Sequence, residues 1–102
     1  MIVEGRSDKL RLQQIVARNV HILCTNGTKD EEALIELVEP YEDSQLYTFF
    51  DRDKSGDYLR KKMQRVYSEA VQLHVPAPFI EVAEIPPTVL KPILRAAKID
   101  VK

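Results

Sequence analysis

The sequence contains no apolar stretch near the roughly 20 residues a bilayer-spanning helix needs. Its opening, Met-Ile-Val followed at once by Glu4, is too short for the apolar centre of a secretory signal. A cytoplasmic protein without a membrane partner is therefore expected. One cysteine, Cys24, excludes an internal disulfide and offers no zinc-ligand spacing. It lies within VHILCT, where a small buried hydrophobe is the expected role. Positive charge is not in excess: 15 Lys and Arg against 16 Asp and Glu give a net charge of −1. That balance argues against a dedicated nucleic-acid coat protein. Repeats, low-complexity segments and linkers are absent too. A chain of 102 residues is then a single domain spanning 1–102, with an ordinary globular composition of 44% apolar and 30% charged residues.

What charge there is falls in blocks. Asp30 to Asp43 holds seven acids and no base, whereas Arg52 to Arg65 holds six bases (Arg52, Lys54, Arg60, Lys61, Lys62, Arg65) and two acids, Asp53 and Asp57. Two solvated helix faces of opposite sign would account for this. The alternative is a basic rim beside the Asp51 turn, able to hold a phosphate backbone.

The apolar pattern alternates between strand-like and helix-like segments. Ile2 and Val3 read as the end of a short buried strand. Ser7 or Asp8 can cap a helix carrying Leu12, Ile15 and Val16. Val20–Thr25 reads as a second strand, and Asn26-Gly27 turns the chain. Thr28 and Glu31 have the spacing of a capping box for a helix with Ala33, Leu34, Leu37 and Val38, ended by Pro40. Gln45–Phe50 is a third, aromatic-rich strand. Leu59, Met63, Val66, Tyr67 and Ala70 then share one helix face. Val71–Val75 is a fourth strand, stopped by Pro76 and Pro78. Pro86-Pro87 opens a last helix bearing Leu90, Ile93, Leu94 and Ala97, with Pro92 either kinking it or moving its start later. Phe79 and Ile80, between prolines, are expected to be exposed and to serve as a protein contact.

A β-α-β-α-β-α-β-α order predicts a three-layer, Rossmann-like α/β fold with a parallel four-stranded sheet and helices on both faces. Ligands of such sheets bind beyond the carboxyl ends of the strands, where strand order reverses. Glu4, Asn26, Asp51 and Asp53 all follow predicted strands. For Glu4 to meet Asp51 and Asp53 the first and third strands must be neighbours, and the simplest order is 2-1-3-4. Converging carboxylates repel unless compensated. A Mg²⁺ ion would compensate them, because it takes hard oxygen ligands and typically only one or two carboxylates beside water and phosphate. Acids at strand ends can also simply cap the next helix. His21 and His74 are read as structural or edge histidines rather than ligands, and Tyr41, Tyr47, Tyr58 and Tyr67 as loop, strand and helix-face residues.

IVEGRSD (Ile2 to Asp8) followed by FDRDKSGDYLR (Phe50 to Arg60) resembles the TOPRIM domain of topoisomerases, bacterial primases, the 5S ribosomal RNA maturation nuclease and OLD-type nucleases. TNG, Thr25 to Gly27, looks like the maturation nuclease's version, and the stand-alone small TOPRIM proteins of bacteria are the nearest kind. The resemblance covers nearly the whole chain. It implies that Glu4 is an acid/base and metal-facing group and that Asp51 and Asp53 bind Mg²⁺, with Mn²⁺ as a substitute. It also implies close approach of backbone or phosphate at Gly5 and Gly56, and it matches Asp8, Asp57 and Arg60 to charged positions of the family. Separately from the resemblance, Asn26 is expected to contact a phosphate or a water, and Lys54, Arg60 or Lys61 to neutralise phosphate charge. Two departures stand out. Only three residues precede Glu4, so the first strand is short or natural residues precede Met1. The second is that no topoisomerase tyrosine domain or polymerase accessory domain is present.

Three functions follow as expectations. One is Mg²⁺-dependent phosphoryl transfer on nucleic acid, nuclease-like and slightly favouring RNA over DNA. Another is a metal-dependent nucleic-acid or nucleotide binding module that works with a partner protein or as a homodimer. The last is a structural domain whose acids only cap helices.

Overall fold

Two pairs of adjacent residues set the layering. Ile2 with Val3, and Phe49 with Phe50, are all fully buried, yet each pair divides between two separate cores. Successive strand residues point to opposite faces, so an unbroken apolar pair requires cover on both sides. Burying one such side chain contributes about 1.5–3 kcal/mol.

The computed structural model describes residues 1–28 and 30–102. Its strands are β1 (Ile2–Val3), β2 (Leu23–Cys24), β3 (Tyr47–Phe49) and β4 (Val71–Leu73). Its helices are α1 (Arg6–Gln13), α2 (Glu31–Val38), α3 (Lys54–Val66) and α4 (Pro87–Ala96), with 3-10 turns at Glu39–Tyr41 and Val82–Glu84. No helix among the described residues is long and apolar enough to cross a membrane. The sheet is parallel throughout, in the order β2-β1-β3-β4. The chain thus steps one way from β1 to β2 and the other way from β2 to β3 and β4. Right-handed crossovers then put α1 on one face and α2 and α3 on the other. The cores show that partition. Val3, Phe49 and Leu73 pack with Leu12 of α1 and with Leu90 and Leu94 of α4. Ile2 and Phe50 pack with Leu34 and Val38 of α2 and with Leu59 and Met63 of α3.

Several local expectations are corrected. The ladder is shorter than the apolar runs suggest: Val20, His21 and Ile22 precede β2, and His74 and Val75 follow β4. The N-cap of α1 is Gly5, not Ser7 or Asp8; Asp8 sits in the first turn and its Oδ2 accepts from the Gly5 N–H at 3.2 Å. The Thr28–Glu31 capping box does not form, since α2 starts after Asp30 and Glu31 Oε1 instead accepts from Arg65 at 3.3 Å. α3 stops at Val66 with Tyr67 as its C-cap, so Ala70 reaches the same core from beyond the helix. Pro87 occupies the first turn of α4, and Pro92 lies inside the helix without delaying its start. Phe79 is half-buried against the core, and only Ile80 of that pair is exposed.

Candidate metal centre at the carboxyl edge of the sheet

β1 and β3 are neighbours, so the residues that leave them emerge side by side at the point where strand order reverses. Glu4 Oε2 accepts from the Asp51 backbone N–H at 2.8 Å. The Glu4 backbone is itself pinned from the β2 side: its carbonyl accepts from Asn26 N–H at 2.9 Å and from Thr25 Oγ1 at 3.3 Å. Asn26 has φ 52° and Gly27 φ 80°, and this left-handed pair makes the tight turn that returns the chain from β2. The exposed Asn26 side chain is therefore displayed at the same edge.

Asp51 is half-buried, and its Oδ1 accepts from Val82 N–H at 2.9 Å. Asp8 is buried; besides Gly5, it accepts from Ala83 N–H at 3.2 Å through Oδ1. The start of the Val82–Glu84 turn thus aims two consecutive N–H groups at two different carboxylates. Arg52 fastens the same segment from the other side, with its N–H on Ile80 O at 2.7 Å and its Nε on Phe79 O at 2.9 Å. Asp53 is exposed and is the N-cap of α3, where Oδ1 accepts from Gly56 N–H at 2.8 Å.

The electrostatics are unbalanced. Burial, more than any other cause, pushes the Asp51 carboxyl up to about 7; the Val82 N–H opposes the rise, while the charges of Asp8 and Glu4 and a hydrogen bond with Glu4 add to it. Asp8 is raised as well, first by burial, against the pull of its two N–H donors. The ion pairs among the described residues join Arg60 to Asp57 and Arg65 to Glu31, and none reaches Glu4, Asp8, Asp51 or Asp53. Asp53 keeps one carboxylate oxygen without a hydrogen-bond partner among the described residues, and beyond their backbone contacts the Glu4 and Asp51 carboxyls meet one another. Hard oxygens, uncompensated negative charge and free lone pairs suit a divalent cation. Among the described residues no three His, Cys, Asp or Glu side chains converge on one point. Mg²⁺ requires fewer, since water and phosphate complete its shell.

The expected basic rim is largely committed elsewhere. Arg60 Nη1 donates to Phe50 O at 3.2 Å while Nη2 pairs with Asp57, which ties α3 to the end of β3. Lys62 lies over the Tyr58 ring at 5.1 Å. Lys54 and Lys61 are exposed and have no ion-pair partner among the described residues. Gly56 is buried, with its Cα facing the Asp51 backbone. The 79–84 segment is the part that sequence reasoning missed. The prolines on either side marked a loop, but nothing local shows that a loop's N–H groups will reach acids 31 and 75 residues away.

Asp8 supplies a direct test of that segment. Asp8→Ala should lower stability by about 1–3 kcal/mol, because it leaves the N–H groups of Gly5 and Ala83 without acceptors. Asp8→Asn retains one acceptor oxygen and should lose less. Urea midpoints of the two variants would check the ranking.

A family profile described as Toprim-like matches residues 1–78. The chain belongs to the Toprim-like family. Its fold is also that of a small TOPRIM domain protein from Bacillus stearothermophilus, with a TM-score of 0.90 and 38% identity over 99% of this chain and 89% of that one. The uncharacterized protein YusF of Bacillus subtilis (strain 168) is 39% identical over 101 residues, which are 99% of this chain and 69% of that protein. The Toprim-like match holds Glu4, Asp51 and Asp53 but ends before the 79–84 segment. Both relatives align beyond residue 78, so that segment belongs to the stretch they share with this chain. Membership is consistent with a Mg²⁺-dependent, nucleic-acid-related function.

Proposed function

We propose that this protein is a cytoplasmic, Mg²⁺-dependent phosphoryl-transfer domain that cleaves phosphodiesters of nucleic acid, with RNA slightly favoured over DNA. One observation carries the reading. Glu4 and Asp51 meet at the switch point of the sheet, Asp8 is buried beside them, and no basic side chain among the described residues pairs with any of the three. Asp51 and Asp53 would hold the ion, and Mn²⁺ would fit the same donors. When bound, such a cation neutralises charge on the phosphate and orients the scissile bond. Glu4 uses one oxygen to fix the Asp51 backbone, which leaves the other to take a proton from an attacking water. The new phosphorus–oxygen bond forms as the old one breaks, and the leaving oxygen draws its proton from solvent. Lys54, exposed in the first turn of α3, is available to a phosphate oxygen. The RNA preference rests on the likeness of Thr25-Asn26-Gly27 to the maturation nuclease's motif.

A second reading is metal-dependent binding of nucleic acid or a nucleotide without turnover, beside a partner protein or a second copy. The absence of a three-ligand cluster among the described residues favours it, since an open donor set binds metal weakly until a phosphate completes it.

A gel assay separates the readings. Mixed RNA and DNA substrates are incubated with Mg²⁺ or Mn²⁺ and either wild type or Glu4→Gln. The glutamine oxygen can still accept from Asp51 N–H, so the substitution removes charge and proton affinity while keeping the contact. Cleavage should fall by about 10²-fold or more in the variant. Equal cleavage by both proteins would assign the activity to a contaminant. Metal-dependent binding with no product from wild type would favour the second reading.

A further inference from the structure

With more acids than bases in the chain, a polyanion needs a surface free of negative charge. Three surface cavities differ in this respect. One is walled in part by Glu42 and Glu69 and another by Asp100. The third, about 380 Å³, has no acid in its lining and carries Arg60, Lys61, Gln64, Gln72 and His74.

This groove follows from the topology. β4 is an edge strand, so no strand covers its outer side, and α3 crosses the sheet beside it. The corner between them stays open. Its floor is held by Gln72, whose Oε1 accepts from Thr48 Oγ1 at 3.1 Å and whose Nε2 donates to Arg60 O at 3.0 Å. Lys61 and His74 are exposed, and neither has an ion-pair or side-chain hydrogen-bond partner among the described residues. Arg60 joins the groove to the acid edge, because its guanidinium donates to Phe50 O, one residue before Asp51.

We propose that this groove holds the sugar–phosphate backbone of the nucleic-acid strand whose phosphate lies at the Glu4–Asp51 edge; the assignment rests on the nucleic-acid reading above. Lys61 and His74 donate to phosphate oxygens on the flank of the strand. Lys61, the His74 imidazole and the amide groups, beside an Arg60 whose charge is already met by Asp57, are complementary to a phosphodiester chain. No aromatic ring other than that imidazole lines the groove, so it offers no platform of tyrosines or phenylalanines on which bases would stack. Contacts to phosphate alone carry no sequence information, and recognition here is independent of base identity.

The test is fluorescence anisotropy with short labelled single strands, RNA and DNA, in EDTA across a KCl series. Wild type should bind both, and two unrelated base sequences should bind alike. Lys61→Glu should weaken binding about tenfold at low salt and reduce the slope of log K against log salt by about 0.7, the share of one phosphate contact. His74→Ala should weaken it less. Arg95→Glu, the same charge change on exposed α4 across the sheet, is the control and should have little effect. Equal weakening by Lys61→Glu and Arg95→Glu would reduce the groove to an effect of net charge and overturn the proposal, as would strong base preference or no salt-dependent binding. The EDTA arm keeps the groove and the chemistry apart. Binding sensitive to Lys61 without cleavage by wild type would remove the catalytic reading alone. Cleavage lost in Glu4→Gln but untouched by Lys61→Glu would remove the groove alone.

Discussion

Asp51→Asn should make the metal-free protein more stable above neutral pH while abolishing its response to Mg²⁺. The folded Asp51 carboxyl is raised from an ordinary 3.8 to about 7, chiefly by burial. The folded state therefore holds that proton more tightly than the unfolded chain does. Linkage fixes the sign. The stabilisation from the protonated form is fully present below pH 4 and is lost as pH rises through about 7. Above that, a half-buried charge without a cationic partner counts against the fold. Asn removes the charge, and its Oδ1 can still accept from Val82 N–H. After discounting for partial exposure to solvent, the variant should gain on the order of 1–2 kcal/mol at pH 8 in EDTA. Wild type should lose stability between pH 5 and 8 and the variant should not. Mg²⁺ reverses the ranking. A cation that binds only the folded state stabilises it by mass action, and because the carboxylate must be ionised, its affinity should fall as pH drops through about 7. Thermal melts of both proteins, with Mg²⁺ and with EDTA, at pH 5 and pH 8, would check every part. Destabilisation by Asn at pH 8 in EDTA, or an equal Mg²⁺ shift in both proteins, would contradict this account of the site.

The arrangement behind that prediction was partly legible from residues alone. The order β2-β1-β3-β4 could be read because alternating elements dictate parallel strands and because Glu4 and Asp51 can meet only if β1 and β3 pair. The two-sided cover could be read from the alternation of strands and helices, and the burial of both Ile2-Val3 and Phe49-Phe50 agrees with it. Helix starts were less legible. Ser and Asp are strong caps, yet β1 passes into α1 within two residues, which leaves Gly5 at the cap and Asp8 reaching back to it. Glu31 matched a capping box by spacing and was taken instead by Arg65 of α3, a partner that exists only once α2 and α3 pack. The six bases between Arg52 and Arg65 looked alike in the sequence. Folding separates them into carbonyl anchors such as Arg52 and Arg60 and exposed lysines such as Lys61. Long-range backbone donors, Val82 N–H and Ala83 N–H, carry no side-chain signature and were invisible until the fold was known.

Gly56→Ala should unfold the protein or come close to it. In most helix interiors the exchange is favourable, because Ala restricts the unfolded chain more and stabilises a helix by about 1 kcal/mol. Here that gain is overwhelmed. A methyl group on Gly56 would lie 1.8 Å from the Asp51 carbonyl oxygen, 2.9 Å from its carbonyl carbon and 3.2 Å from its backbone nitrogen. Every one of these is main chain, so no side-chain rotation relieves the clash. The strand end cannot retreat, because Asp51 N–H is held by Glu4 and its carboxylate by Val82 N–H. The helix cannot retreat without breaking the Asp53 cap on Gly56 N–H and lifting buried Leu59 and Met63 from the second core. Overpacking in rigid surroundings costs about 1–3 kcal/mol and sometimes more; with two backbones in collision, a loss of about 3 kcal/mol or more is expected. Close packing of α3 on Asp51 thus accounts for glycine at this position before any ligand is considered. Urea unfolding of Gly56→Ala beside Ser55→Ala, one residue earlier in the same helix turn, would check it. Ser55→Ala should remain within about 0.5 kcal/mol of wild type, as expected away from such constraints. A Gly56→Ala protein of near wild-type stability would mean that α3 stands further from β3 than the geometry described here. The close approach of α3 to Asp51, and with it the shape of the carboxylate edge, would then need revision.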